Sequence, residues 1–262
     1  MERLIDRYER FVFDLDGTLW RGKIVLPHVR EVLAAIRAVE ARVAFMTNSP
    51  QRSRREVAGA LHAIGVAAAP DEIVTSGRAA CLHLIAQGAE GATAFVIGGS
   101  GLETELALAG LTFLGVEDGH NAEFVVVGRD ESFDYSMLRT AMRAIDGGAG
   151  FLATNRDPRY PVEDGFWPGG GALAIAVEYA TGVVPTVVGK PERPMLDAVA
   201  TLLGDEGSTL LIGDKPEADL EGARRMGWTG ALVLTGATAD PSGADPPPDM
   251  VLQDLGDLLR PR

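Results

Sequence analysis

In Phe11-Val12-Phe13-Asp14-Leu15-Asp16-Gly17-Thr18-Leu19 an apolar run meets two carboxylates and then a Gly-Thr turn. The run reads as a buried strand, and the glycine that follows supplies a tight turn. In an open parallel sheet, ligands bind just beyond the carboxyl ends of the strands. Asp14 is predicted to stand there. Asp16, two residues on, can point into the same pocket once the chain turns. Two acids this close repel each other, so the pair makes sense if a cation lies between them or one of them is protonated.

Three more apolar runs end in polar chemistry. Leu210-Leu211-Ile212 leads into Gly213-Asp214, with Asp219 following. Val43-Ala44-Phe45-Met46 ends in Thr47-Asn48, a hydroxyl and an amide. Val187-Val188 ends in Gly189-Lys190, a single cation. Four strands are thus expected to bring carboxylates, a hydroxyl and a lysine to one edge of one sheet. The carboxylates are hard oxygen ligands suited to Mg²⁺. The hydroxyl and the lysine suit phosphoryl oxygens.

The rest of the chain agrees with that frame. Short strand-like runs (Ala94–Ile97, Phe124–Val127, Phe151–Ala153, Ala231–Leu234) alternate with amphipathic stretches such as Val29–Ala38, Ser136–Ile145 and Met195–Leu203. Such alternation predicts an α/β fold with a mainly parallel sheet. With 262 residues, one large domain or two modest ones is expected. There are 37 acidic and 24 basic residues, a formal charge of −13. So acidic a chain is a poor partner for nucleic acid or for an anionic membrane surface, both of which select Lys and Arg. One cysteine, Cys81, allows neither an intrachain disulfide nor a thiolate zinc site. The charged start, Met1 to Arg7, does not read as a signal peptide, so the expected location is the cytoplasm.

Taken together, Asp14-Leu15-Asp16-Gly17-Thr18, Thr47, Lys190 and Gly213-Asp214 with Asp219 resemble the four motifs of the haloacid dehalogenase superfamily, in chain order. The resemblance covers essentially the whole chain. It implies a Rossmann-like, doubly wound parallel-sheet core. Only 28 residues separate Thr18 from Thr47, whereas 142 lie between Thr47 and Lys190. The longer stretch far exceeds a strand-to-strand crossover and must hold an α/β unit of its own. A cap inserted there resembles the NagD-like, or p-nitrophenylphosphatase, subfamily. Ala153-Thr154-Asn155-Arg156-Asp157 resembles that subfamily's Thr-Asn-x-Asp element, and Pro168-Gly169-Gly170-Gly171 its glycine-rich approach to the last cap helix. The expected domains are residues 1–76 and 186–262 for the core and 77–185 for the cap. One departure is Lys215-Pro216-Glu217-Ala218 after Asp214, where many relatives carry Arg or Asn and then Asp-Thr.

The resemblance implies Mg²⁺-dependent hydrolysis of a small phosphorylated metabolite, such as phosphoglycolate, glycerol phosphate, a sugar phosphate or a nucleoside monophosphate. Asp14 would be the nucleophile and Asp16 the acid and then the base. Asp14, the carbonyl of Asp16 and Asp214 would hold the metal, with Asp219 a supporting acid. Thr47 and the amide of Asn48 would take phosphoryl oxygens, and Lys190 would neutralise developing charge. Asn155, Arg156 and Asp157 are candidates for facing the ligand from the cap. Relatives often pair through their caps, so a homodimer through the cap is the assembly the resemblance allows. Rival readings are a dehalogenase or phosphotransferase using the same aspartate, and a catalytically silent phosphate-binding protein. Halide displacement needs no metal, which sets the acids at 16, 214 and 219 against the first rival. Gly98-Gly99-Ser100-Gly101 lacks the spacing of a dinucleotide loop and reads as a turn. Arg52, Arg54 and Arg55 read as a solvated helix face.

Overall fold

The structure, a computed structural model, describes residues 2–162, 165–204 and 206–261. The chain divides into two compact units, Met1–Thr47 with Arg55–Val74 and Leu196–Arg262, and Asn48–Arg54 with Thr75–Met195.

The first unit is built on a six-stranded sheet. Its order is Met250–Leu252, Thr229–Val233, Thr209–Gly213, Arg10–Asp14, Arg42–Thr47, Ile73–Thr75. Arg10–Asp14 pairs in parallel with both neighbours, Phe11 opposite Leu210 on one side and Val43 on the other. All five of its residues are buried. Successive strand side chains point to opposite faces, so burial at every position means that both faces are covered. This is why the strand is an unbroken apolar run and not an alternating one. Phe11, Phe13 and Phe45 fill one face, with Val32, Ile36 and Leu61 from the helices packed against it. From Arg10–Asp14 the chain winds outward through 42–47 and 73–75, and it later resumes on the other side with 209–213. The strand order therefore reverses beside Asp14, and a doubly wound sheet opens its ligand crevice at such a reversal.

The second unit has a five-stranded parallel sheet in the order Thr186–Val187, Gly150–Ala153, Phe124–Val127, Thr93–Ile97, Thr112–Phe113. Helices Ser76–Ala86, Ser100–Leu106, Tyr135–Asp146 and Gly170–Thr181 accompany it, and strand Arg159–Val162 pairs antiparallel with Gly165–Pro168. Asp134 caps Tyr135–Asp146, its Oδ1 accepting from the Met137 N–H at 2.9 Å. Gly98-Gly99 is the turn that starts Ser100–Leu106, as expected.

One expectation is corrected. The strand that ends at Lys190 was read as part of the first sheet. It pairs instead with Gly150–Ala153, Thr186 opposite Leu152 and Val187 opposite Ala153, and the Val188 N–H continues the ladder to the Ala153 carbonyl at 3.0 Å. The compact unit that holds this strand is Asn48–Arg54 with Thr75–Met195. An apolar run ahead of a charged residue marks a strand end but says nothing about which sheet the strand joins. Among the described residues, no helix is long and apolar enough to cross a membrane.

Candidate active site

The site grows out of the carboxyl end of Arg10–Asp14. Asp14, the last strand residue, is only 6% exposed. The chain then folds back sharply: the Leu19 and Trp20 N–H groups both donate to the Leu15 carbonyl, at 2.8 and 3.2 Å, and the Gly17 N–H donates to the Trp20 carbonyl at 2.7 Å. Gly17 sits at φ +92°, and a Cβ there would stand 2.1 Å from Oδ2 of Asp214. Both the backbone and the space demand glycine. The turn places Thr18 under Asp14, with Oγ1 donating to Asp14 Oδ2 at 3.4 Å.

Asp214 follows Thr209–Gly213 and Asp219 lies one wide π-type turn further on, at 3% and 0% exposure. Asp214 Oδ2 accepts from the Ala237 N–H at 2.6 Å. Asp219 Oδ2 accepts from the N–H groups of Asp214 and Lys215, each at 3.1 Å. Asp14, Asp214 and Asp219 each present a carboxylate oxygen within 4.8 Å of the others. Two unit charges at that distance repel by about 3 kcal/mol at an effective dielectric near ~20. Backbone donors offset part of this, at roughly 1.5–3 kcal/mol for a hydrogen bond to a charged group. Three buried carboxylates are best balanced by a divalent cation, and an all-oxygen donor set is what Mg²⁺ or Ca²⁺ takes. The residues fit such an ion. Asp219, expected as a supporting acid, is a full member of the cluster, while the Asp16 side chain is outside it. Asp16 is exposed, and its Oδ1 accepts from the indole N–H of Trp20 at 2.9 Å. Thr47, 4% exposed, ends the neighbouring strand, where Met46 is in register with Asp14.

The other expected residues form a network inside the second unit. The Lys190 N–H donates to Asn48 Oδ1 at 2.7 Å, and Asn48 Nδ2 donates to the Lys190 carbonyl at 3.3 Å and to Asp157 Oδ2 at 3.5 Å. The Asn48 side chain therefore behaves like one more strand residue paired to Lys190. Its own carbonyl accepts from Asn155 Nδ2 at 2.8 Å and from Ser76 Oγ at 2.7 Å. Asn155 Oδ1 in turn accepts from the Asp157 N–H at 3.1 Å. Gly189 is forced by this packing, since a Cβ would meet the Thr154 carbonyl at 2.3 Å and Asn48 Oδ1 at 2.6 Å. Arg156 pairs with Glu178 on helix Gly170–Thr181. Through their hydrogen bonds Asn48 and Asn155 link Lys190, Ser76 and Asp157 within the second unit.

Three features escaped the sequence reading. Trp20 lies just past the quoted motif and carries no charge to mark it. The Gly236-Ala237 loop, which supports Asp214, follows a predicted strand but carries no charge to draw attention. Arg54, read as solvated, donates from Nε to buried Glu105 Oε2 at 3.0 Å.

Comparison with known proteins bears on this arrangement. A model of haloacid dehalogenase-like hydrolases matches residues 11–112, and a second, HAD-hydrolase-like model matches 187–258. An acid sugar phosphatase of Staphylococcus saprophyticus is 32% identical over 97% of both chains. The magnesium-bound glycerol phosphate phosphatase Rv1692 of Mycobacterium tuberculosis superposes with a TM-score of 0.90 at 33% identity, covering 98% of this chain and 78% of that one. A p-nitrophenyl phosphatase of Archaeoglobus fulgidus gives 0.87 at 29% identity, over 97% and 98% of the two chains.

Proposed function

The chain belongs to the haloacid dehalogenase-like hydrolases, among the NagD-like p-nitrophenylphosphatases, and is a phosphomonoesterase; on that premise we propose that it hydrolyses small phosphate monoesters with Mg²⁺ through a phosphorylated Asp14. The observation that carries this reading is the buried cluster of Asp14, Asp214 and Asp219 at the strand where the sheet order reverses.

Asp14 is a carboxylate and needs no partner base to attack phosphorus. A carboxylate oxygen of Asp14 bonds to phosphorus as the ester P–O bond breaks, and Asp16 gives its proton to the departing oxygen, which leaves as an alcohol. Water then attacks the same phosphorus and passes a proton to Asp16. The bond from Asp14 to phosphorus breaks, inorganic phosphate leaves, and both aspartates return to their starting states. Asp14, the Asp16 carbonyl and Asp214 would hold Mg²⁺, with Asp219 closing the set. The ion would supply positive charge between the nucleophile and the phosphate dianion. Thr18 supports Asp14 from beneath. For Thr47, the Asn48 amide and Lys190 the reading rests on their motif positions: the first two take phosphoryl oxygens and the lysine neutralises charge. Asn155, Arg156 and Asp157 are proposed to face the organic part of the ester. The relatives' names favour a polyol or sugar phosphate as substrate. Residues 77–185 are proposed to act as the cap, and a homodimer through that cap is the assembly proposed.

The test is hydrolysis of p-nitrophenyl phosphate and glycerol phosphate with and without chelator. Activity should vanish on chelation and return with Mg²⁺. Acid quenching during turnover followed by borohydride should reduce an acyl phosphate at position 14. Full activity in chelator would overturn the reading.

A further inference from the structure

We propose that Trp20 is a positioning residue for Asp16: its indole N–H fixes one carboxylate oxygen and leaves the other to exchange the proton. The inference rests on the acid/base role proposed for Asp16 and extends it to a residue outside the family motifs quoted above.

Asp16 is exposed, and an exposed aspartate ordinarily samples several rotamers. Here Oδ1 is held by Trp20 Nε1 at 2.9 Å. The holder is itself rigid. Trp20 is 8% exposed and packs in the same apolar cluster as Leu15, Leu19 and Val29. Its N–H is bonded to the Leu15 carbonyl and its carbonyl to the Gly17 N–H. It also pairs with Val25 across a two-stranded ribbon, Trp20–Arg21 with Ile24–Val25. The turn that carries Asp16 and the ring that holds it are thus parts of one small, cross-braced loop.

The chemistry of the donor matters as much as its place. An indole N–H donates only; it neither accepts nor titrates. Oδ1 can accept this bond whether Asp16 is protonated or not, so the contact survives both halves of the reaction. A histidine, lysine or tyrosine in its place could trade protons with Asp16 and compete with the substrate. Proton transfer needs heavy atoms within hydrogen-bond reach, and an ångström of misplacement can cost about a hundredfold in rate.

Trp20→Phe keeps a ring in the pocket and removes the N–H. The quantity to read is kcat/KM, which ends at release of the alcohol and so reports the protonation of the leaving group. For glycerol phosphate, a poor leaving group, kcat/KM should fall about 10- to 100-fold. For p-nitrophenyl phosphate, whose leaving oxygen needs little help, it should fall less than about threefold. Benzothienylalanine at position 20, which has the shape of tryptophan without the donor, should give the same split and guards against a packing defect. Equal losses on both substrates, or none, would overturn the inference. Asp16→Asn serves as the reference. If it too shows no leaving-group dependence, the acid role itself fails; if it shows the dependence and Trp20→Phe does not, only the role of Trp20 fails. Trp20→Phe added to Asp16→Asn should cost nothing further, because the group it positions is gone.

Discussion

The main-chain N–H of Asp214 points into the carboxylate of Asp219, 3.1 Å from Oδ2, and the Lys215 N–H shares that oxygen at the same distance. Asp219 is therefore both a charge in the cluster and the device that shapes the loop carrying Asp214. Asp219→Asn keeps an acceptor for the two N–H groups and loses the charge. The Mg²⁺ concentration giving half-maximal activity should rise about 10- to 100-fold, as for supporting groups around other metals. Asp219→Ala should cost more, because the buried Asp214 N–H and the half-buried Lys215 N–H lose their acceptor. A titration of activity with Mg²⁺ separates the two variants.

Gly236 leaves room for Asp214. A Cβ at 236 would stand 1.9 Å from Asp214 Oδ2 and 2.3 Å from its Cβ. Gly236→Ala must push Asp214 out of place, at an overpacking cost of about 1–3 kcal/mol. The expected result is a modest drop in melting temperature and a much larger loss of Mg²⁺-dependent turnover. A variant with wild-type metal dependence would place the flexibility elsewhere.

Glu105 is 2% exposed and accepts from both the Arg54 N–H, at 2.8 Å, and the Arg54 guanidinium. Removing one member of a buried pair strands the other. Glu105→Ala should destabilise the second unit by about 3 kcal/mol or more, and Glu105→Gln by less, since its amide oxygen still accepts. Denaturant midpoints followed by circular dichroism check this.

Cys81 is completely buried, and burial pushes its thiol pKa up, with nearby Arg78 opposing. Less thiolate forms at neutral and mildly alkaline pH than for a free cysteine, so the thiol is a poor nucleophile. A thiol reagent at pH 8 should label the native protein far more slowly than the denatured one. Prompt labelling of folded protein would contradict the packing of helix Ser76–Ala86.

The central strands of the first sheet and its acids were legible because Arg10–Asp14 and Thr209–Gly213 are buried at every position. Continuous apolar runs such as Phe11 to Phe13 and Leu210 to Ile212 are the pattern that survives without an alternation to decode, and each ends in a carboxylate. Lys190 was legible as a strand end but not as part of the second sheet, because sheet membership is decided by pairing partners and not by the run itself. The bonds of Asn48 to Lys190, Asn155 and Ser76 were not legible, because they join residues far apart in the chain. Trp20 was hidden by its hydrophobicity: its ring belongs to the core and its one polar atom does the work at the surface. The two-residue strands Trp20–Arg21 and Ile24–Val25 are too short to show any period.

The central claim is that Asp14 is the atom donor to phosphorus. Turnover of p-nitrophenyl phosphate by Asp14→Asn in saturating Mg²⁺ tests it most directly. The amide is close in size to the carboxylate, so circular dichroism and melting should match the wild type, while kcat falls by about a thousandfold or more. A folded Asp14→Asn protein that retains a substantial fraction of wild-type turnover would contradict the account.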